Sequence, residues 1–351
     1  VLGADETKAV SVRLSATAKQ LRGLTWMPDS AARESRLVKG MDAFSQRLLA
    51  ISGDTRCAFM ARLDFSSADA YDRSAEWYRE YYREEVMGCI HAPKLHPNPR
   101  SRVIEETASY VCYEVVLDVM QDFILYGYLL VPKDLKPAER RPVVVAQHGL
   151  LGRPHDLMSP ERGGKKAYNA VAPHVVAKGY IVFVPQNPYA IEDDFRQLQR
   201  KANPLKLSLH SVVYAQYEQM FTLFRTLPFV DSAKIAFVGL SYGGKTAVRV
   251  PPLMPGFCLM ISSGDFNEGV TKMASTLYPF SFVFHGEYEI FEFDLGNTFN
   301  YSDLAGLMAP RPFMAQRGHN DAVAWDEFVG YEYANVRRLY ALLKRPERTV
   351  I

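Results

Sequence analysis

A serine set between glycines, Gly239-Leu240-Ser241-Tyr242-Gly243-Gly244, follows the short apolar run Ile235 to Val238 and leads into a helical pattern. A Gly-x-Ser-x-Gly turn between a buried strand and a helix is a nucleophile elbow. Its small flanking residues let a strained serine approach neighbouring backbone while its hydroxyl stands clear above the sheet. The chemistry open to such a serine is attack on an acyl carbon, with Ser241 as the covalent nucleophile. The helix from Gly243 onward points its amino-terminal dipole toward the serine and toward an oxyanion formed there. The bland alternative is a glycine-rich turn carrying an idle serine.

Acyl transfer needs donors for the carbonyl oxygen. The run Val143-Val144-Val145-Ala146-Gln147-His148-Gly149-Leu150-Leu151-Gly152 is an apolar strand ending in His-Gly, the place from which a loop supplies the second oxyanion amide. The expected hole is therefore the backbone N–H groups of Tyr242 and of Leu150 or its immediate neighbour. His148 is read as shaping that loop rather than as a base. The acid that orients the base is expected at Asp321, in Arg317-Gly318-His319-Asn320-Asp321 after the run Pro312 to Ala315, which keeps the order nucleophile then acid. Asp265, in Ser262-Ser263-Gly264-Asp265, is the rival acid. For either, the plain alternative is a loop carboxylate that caps a turn.

These residues need a scaffold, and the chain's periodicity changes near residue 105. After it, Ser109 to Met120 and Phe123 to Val131 read as two strands joined at Gln121-Asp122, forming an antiparallel edge. Nearly continuous apolar runs follow at Pro142 to Ala146, Tyr180 to Val184, Ile235 to Val238, Cys258 to Ser262 and Pro312 to Ala315. Such runs suit strands buried on both faces of a parallel sheet. Helical stretches separate them, including Lys165 to Lys178, Ser208 to Leu227 and Trp325 to Leu343. Strand and helix alternate, so the class is α/β, a mostly parallel central sheet flanked by helices.

Before residue 105 the pattern is helical: Tyr71, Ala75, Tyr78, Tyr82 and Val86 recur at spacings of three and four, capped at Ser66 or Ser67 and stopped at Gly88. The prolines Pro93, Pro97 and Pro99 make His91 to Arg102 a linker or surface arm. The organisation expected is an N-terminal helical extension and linker over 1–104 and a catalytic domain over 105–351.

The chain's 351 residues, 48% hydrophobic, can bury one large core plus an appendage. A balance of 41 Lys and Arg against 39 Asp and Glu sets up no field to collect nucleic acid or anionic lipid. No run of the ~18 apolar residues that marks a membrane span occurs, so a soluble protein is expected. Cys57, Cys89, Cys112 and Cys258 lack metal-ligand spacing, and no cofactor or metal is expected. They read as buried thiols, with one disulfide left open. The start at Val1-Leu2-Gly3-Ala4-Asp5 fits a removed export signal or a trimmed chain, so a secreted or periplasmic location is the lean.

The paired strands, the His-Gly loop, Gly-Leu-Ser-Tyr-Gly-Gly-Lys and Arg-Gly-His-Asn-Asp together resemble bacterial α/β-hydrolases of the acetyl xylan esterase and dienelactone hydrolase kind, over roughly residues 105–351. Pro185-Gln186-Asn187-Pro188, Arg200-Lys201-Ala202-Asn203-Pro204 and Gly296-Asn297-Thr298-Phe299-Asn300-Tyr301 are similar to that group as well. Gly244-Lys245-Thr246-Ala247 is similar to glucuronoyl esterases, which implies that Lys245 meets sugar hydroxyls. Tyr242 stands where such an esterase would carry Arg.

The resemblance implies the α/β-hydrolase fold and a serine esterase acting on a small or carbohydrate-linked ester. A glucuronoyl esterase or lactone hydrolase, and a non-catalytic binding protein of the same fold, are the alternatives. It also implies a base histidine on the loop after the last strand. Arg348-Thr349-Val350-Ile351 reads as the start of that strand, so the base is expected beyond Ile351, with His285 and His319 as the alternatives inside the chain.

Overall fold

The computed structural model describes residues 29–159, 161, 165–321, 323 and 325–351. The described residues up to Arg47 and residues 48–351 fall into two separate units. The first contains the start of helix α1 (Ser30–Phe59), where Leu37, Met41 and Phe44 are exposed. The second begins within α1 and continues through α2 (Ala68–Tyr81).

Among the described residues nine strands form one sheet: β1 (Arg100–Glu106), β2 (Tyr110–Met120), β3 (Phe123–Pro132), β4 (Arg141–Gln147), β5 (Ile181–Gln186), β6 (Val230–Leu240), β7 (Phe257–Ser263), β8 (Phe313–Gln316) and β9 (Thr349–Val350). Their order is β1-β2-β3-β5-β4-β6-β7-β8-β9. Pairing is antiparallel from β1 through β3 to β5 and parallel from β5 onward. The helices that follow α2 are α3 (Val171–Val176), α4 (Asp194–Ala202), α5 (Leu209–Thr226), α6 (Tyr242–Arg249), α7 (Gly269–Ala274), α8 (Leu295–Thr298), α9 (Tyr301–Gly306) and α10 (Asp326–Leu342). This is the α/β-hydrolase fold, with helices on a mostly parallel sheet.

The connection after β4 runs to β5 on one side, whereas β6 lies on the other. Open α/β sheets bind ligands outside the carboxyl ends of their strands where the strand order reverses in this way. The His-Gly loop leaves β4 there, Ser241 leaves β6, and the two candidate acids leave β7 and β8.

The expected aromatic helix forms α2, with the Ser67 side chain accepting from Ala70 N–H. Its last turns widen into a π-helix over Tyr82–Met87 that stops at Gly88 with φ 85°. Tyr71, Tyr78 and Tyr82 are fully buried, in the same cluster as Val143 and Phe237 of the sheet. Each such ring contributes roughly 1.5–3 kcal/mol by burial alone. Tyr71 Oη donates to Gly306 O at 3.0 Å and Tyr78 Oη to Phe59 O at 2.7 Å, so their hydroxyls are not left unpaired.

One strand was not expected. β1 occupies the sheet edge beside β2, where the sequence reads as the end of a proline-rich arm. Its residues are almost all exposed, so the strand carries no apolar alternation. Arg100 pairs with Asp118 at 2.6 Å and Arg102 with Glu114, charged cross-strand pairs that suit an edge exposed to water. All four cysteines are free, Cys57 exposed and Cys112 buried. No helix among the described residues is long and apolar enough to cross a membrane.

Candidate active site

Ser241 sits between β6 and α6 at φ 58°, ψ −118°, a left-handed backbone conformation for a residue with a side chain. Such a conformation costs about 1–3 kcal/mol and persists only where the surroundings hold it. Here Ser241 N–H donates to Ser263 O at 2.8 Å, and Ser241 O accepts from Lys245 N–H at 2.9 Å. The flanking glycines are required by space. A Cβ on Gly239 would fall 2.2 Å from the Gly243 backbone, and one on Gly243 would fall 2.5 Å from Gln147 O.

The His-Gly loop lies directly against this turn: a Cβ on Gly149 would be 3.0 Å from Leu240 O and 3.4 Å from Ser241 Oγ. Gly149 N–H is already used, donating to Tyr168 Oη at 2.8 Å. The next amide, Leu150, has no acceptor among the described residues, and neither has Tyr242 N–H at the start of α6. Among the described residues, two N–H groups without a protein acceptor thus lie next to the serine turn.

His148 is fully buried with both ring nitrogens engaged: Nδ1–H donates to Gly149 O at 2.8 Å, and Nε2 accepts from Asn187 N–H at 3.1 Å. That pairing selects the neutral tautomer, and burial pushes its pKa down to about 4. With no nitrogen free, it holds the loop. Gln186 Nε2 adds a bond to Gly152 O at 3.1 Å, and Leu151 is at φ 52°. The Pro185-Gln186-Asn187 segment, which had no evident role in the sequence, is the other wall of this loop.

Asp321 and Asp265 leave neighbouring strands. A Cβ on Gly264 would stand 3.7 Å from Asp321 Oδ2 and 4.0 Å from Ser241 N, so the Asp321 carboxylate lies close to the elbow. Asp321 Oδ1 accepts from Val323 N–H at 2.9 Å, leaving Oδ2 without a donor among the described residues. Asp265 instead accepts from Tyr301 Oη at 2.6 Å, and burial raises its pKa against the lowering effects of Tyr301, Lys245 and Arg249. Lys272, its ammonium over the rings of Phe280 and Phe282, faces the charges of both acids.

Of the alternative bases, His319 is strongly exposed and pairs through Nδ1 with Asp326 Oδ2 at 2.8 Å, and His285 is exposed. Neither hydrogen-bonds Ser241 or Asp321 among the described residues.

Lys245 is 2% exposed. Its Nζ donates to Ile290 O at 3.2 Å and lies 3.6 Å from Glu292 Oε2, while Arg249 Nε binds Glu292 Oε1 at 2.9 Å. Burial pulls the lysine pKa down, and the two cations hold Glu292 down at about 2 in spite of its burial. In this arrangement the ammonium group expected to meet sugar hydroxyls is committed to protein acceptors.

The Tyr242 side chain, next to the nucleophile, enters a cluster that sequence reading missed. Its hydroxyl donates to Glu289 and lies 3.2 Å from Glu287 Oε2, and Arg196 grips Glu287 at 2.6 Å. Burial and the neighbouring Glu287 raise the Glu289 pKa, whereas Glu289 and Arg196 hold Glu287 low in spite of its burial. Partners so far apart in the chain leave no local signal. A cavity of about 250 Å³ opens beside the elbow, lined by Gln147, Tyr168, Leu240, Ser263 and Gln316 among others. Away from the site, Glu84, Cys89 and His91 bring three metal-ligating atoms within 4.8 Å of one another, a grouping that the spacing of the cysteines did not suggest.

No protein-family model and no curated protein matches the chain. Solved structures do. A Bacteroides fragilis protein provisionally classed as an acetyl xylan esterase superposes with a TM-score of 0.66 at 17% identity, over 82% of this chain and 76% of that one. A glucuronoyl esterase from Solibacter usitatus gives 0.58 at 16%, over 80% and 82%. A glucuronoyl esterase from Teredinibacter turnerae gives 0.55 at 16%, over 80% and 75%. At these identities the likeness is one of fold, and it agrees with the α/β-hydrolase architecture described above.

Proposed function

We propose that the chain is a serine esterase that hydrolyses carboxylic esters of carbohydrate-linked or small substrates through an acyl-enzyme. The observation that carries this reading is the strained Ser241 with the free Leu150 and Tyr242 amides beside it. Ser241 Oγ attacks the ester carbonyl as a general base takes its proton, Asp321 is the acid that would orient that base, and the two amides receive the negative oxygen. Collapse breaks the ester C–O bond, and the proton passes to the departing alcohol. Water then repeats the sequence on the acyl-serine, releasing the acid and returning the hydroxyl.

The carbohydrate-linked class is supported by the structural neighbours, whose names describe acetyl xylan and glucuronoyl esterases. Polymeric sugar esters are met outside the cytoplasm, and a secreted or periplasmic location follows from that substrate. The test is acetate release from acetylated xylo-oligosaccharides and aryl acetates by the full-length protein and by Ser241→Ala. A methyl glucuronate ester and a lactone serve as competing substrates. Preference for either of these would move the assignment to the glucuronoyl esterase or lactonase alternative. Binding of sugar esters without turnover by the full-length protein would favour the non-catalytic reading.

A further inference from the structure

One buried chain of hydrogen bonds links the first turn of α6, at the Tyr242 carbonyl, to the peptide unit that carries the Leu150 amide. Gln147, the last residue of β4, is 1% exposed. Its Nε2 donates to Thr246 Oγ1 at 2.9 Å, and Thr246 Oγ1 donates to Tyr242 O at 3.0 Å, so the amide of Gln147 reaches the first turn of α6. On its other side Gln147 Oε1 accepts from Tyr217 Oη at 2.6 Å, and Tyr217 Oη accepts from Asn187 Nδ2 at 3.4 Å. Asn187 N–H in turn donates to His148 Nε2, and His148 Nδ1–H donates to Gly149 O, the residue before Leu150. The chain runs from the carbonyl of Tyr242 to the carbonyl of Gly149 without a gap.

We infer that Gln147 and Thr246 are positioning residues that hold the Leu150 and Tyr242 amides at a common spacing for the oxyanion. This rests on the serine esterase reading. Gln147, Thr246, Tyr217, Asn187 and His148 are all at most 1% exposed, so the bonds act in a low dielectric and compete little with bulk water. A buried glutamine that follows the apolar run Pro142 to Ala146 costs stability unless each of its polar groups is paired, and here both are. An oxyanion hole works because its donors are already placed when charge develops, so a slackened spacing weakens transition-state binding more than substrate binding.

Gln147 and Thr246 are positioning residues and not catalytic ones, because their bonds end on protein groups. The substitutions that read the role are Gln147→Met, which keeps the volume and removes both bonds, and Thr246→Val, which keeps the shape and removes the hydroxyl. In the full-length protein each is expected to lower kcat ~10- to 100-fold with KM within about twofold. Affinity for an alkyl boronate, which binds Ser241 as a charged tetrahedral adduct, should fall by the same factor as kcat. The double variant should be little worse than either single one, since both break one chain.

If Gln147→Met fails to fold, Thr246→Val and Tyr217→Phe carry the same readout. Unchanged kcat and boronate affinity in a folded variant, or additive losses in the pair, would overturn the inference while leaving the esterase reading standing. A wild-type protein that neither turns over esters nor takes boronate at Ser241 would overturn the esterase reading and this inference with it.

Discussion

Gly149 and Ser241 are in direct contact across the carboxyl ends of β4 and β6: a Cβ placed on Gly149 would stand 3.0 Å from Ser241 Cβ and 3.4 Å from its Oγ. The contact leaves no room for a side chain between the loop that donates one amide and the turn that carries the nucleophile. Gly149→Ala should therefore push the Leu150 amide away from the serine. The expected result is a ~10²-fold fall in kcat with thermal stability little changed. Gly243→Ala differs, because its methyl would meet Gln147 backbone at 2.5 Å and the cost should appear in folding as well as in rate. Thermal melts beside steady-state kinetics separate the two. Wild-type rates from Gly149→Ala would show that the loop is not part of the site.

The two acids differ in what holds them. Asp265 is engaged by Tyr301, while Asp321 keeps Oδ2 near the elbow. Asp321→Asn should cut turnover by roughly 10³–10⁴-fold with folding intact, since an amide favours the wrong imidazole tautomer. Asp265→Asn should be the milder lesion in rate. The reverse ranking, measured as kcat/KM on one aryl ester, would transfer the role to Asp265.

His319 is tied to Asp326 and His285 is exposed, and neither bonds the serine or the acid. His285→Ala and His319→Ala should each turn over ester at close to the wild-type rate. Abolition of activity by one of them at neutral pH would identify that residue as the base.

What could be read from sequence alone was local. The elbow and the His-Gly loop were legible because each is a strand end with glycines at fixed offsets, and α2 was legible from Tyr71, Tyr78 and Tyr82 on one face. β1 was not, because an exposed charged edge strand has neither apolar alternation nor turn signals. The burial of Lys245 was not legible either. Its partner Glu292 comes from a segment without periodicity, and only the folded chain brings the two to 3.6 Å. The bond from Gln147 to Thr246 spans 99 residues, although a glutamine closing an apolar strand was a hint that something buried must pair with it.

Glu332 gives a test of the core around α9 that is independent of catalysis. It is 1% exposed and accepts from Ser302 N–H at 2.8 Å, and burial, with the nearby Asp303 charge second, pushes its pKa up to about 8. In the unfolded chain a glutamate titrates near ~4.3. Between those values the folded state binds more protons than the unfolded one. The contribution of Glu332 to stability is therefore full below ~4.3 and is lost as pH rises through its folded pKa. Glu332→Gln, which can still accept from Ser302, should flatten that decline and be the more stable form at alkaline pH. Urea unfolding at a series of pH values reads this directly, and parallel curves for the two proteins would contradict it.

The esterase reading rests on Ser241 acting as a nucleophile and not as an idle turn residue. Treatment of the full-length protein with a fluorophosphonate, followed by peptide mass spectrometry, measures it most directly. A single phosphonylated serine is expected, at Ser241, with loss of esterase activity in step and no labelling of Ser241→Ala. Labelling at another serine, or ester turnover that survives with Ser241 unmodified, would contradict it.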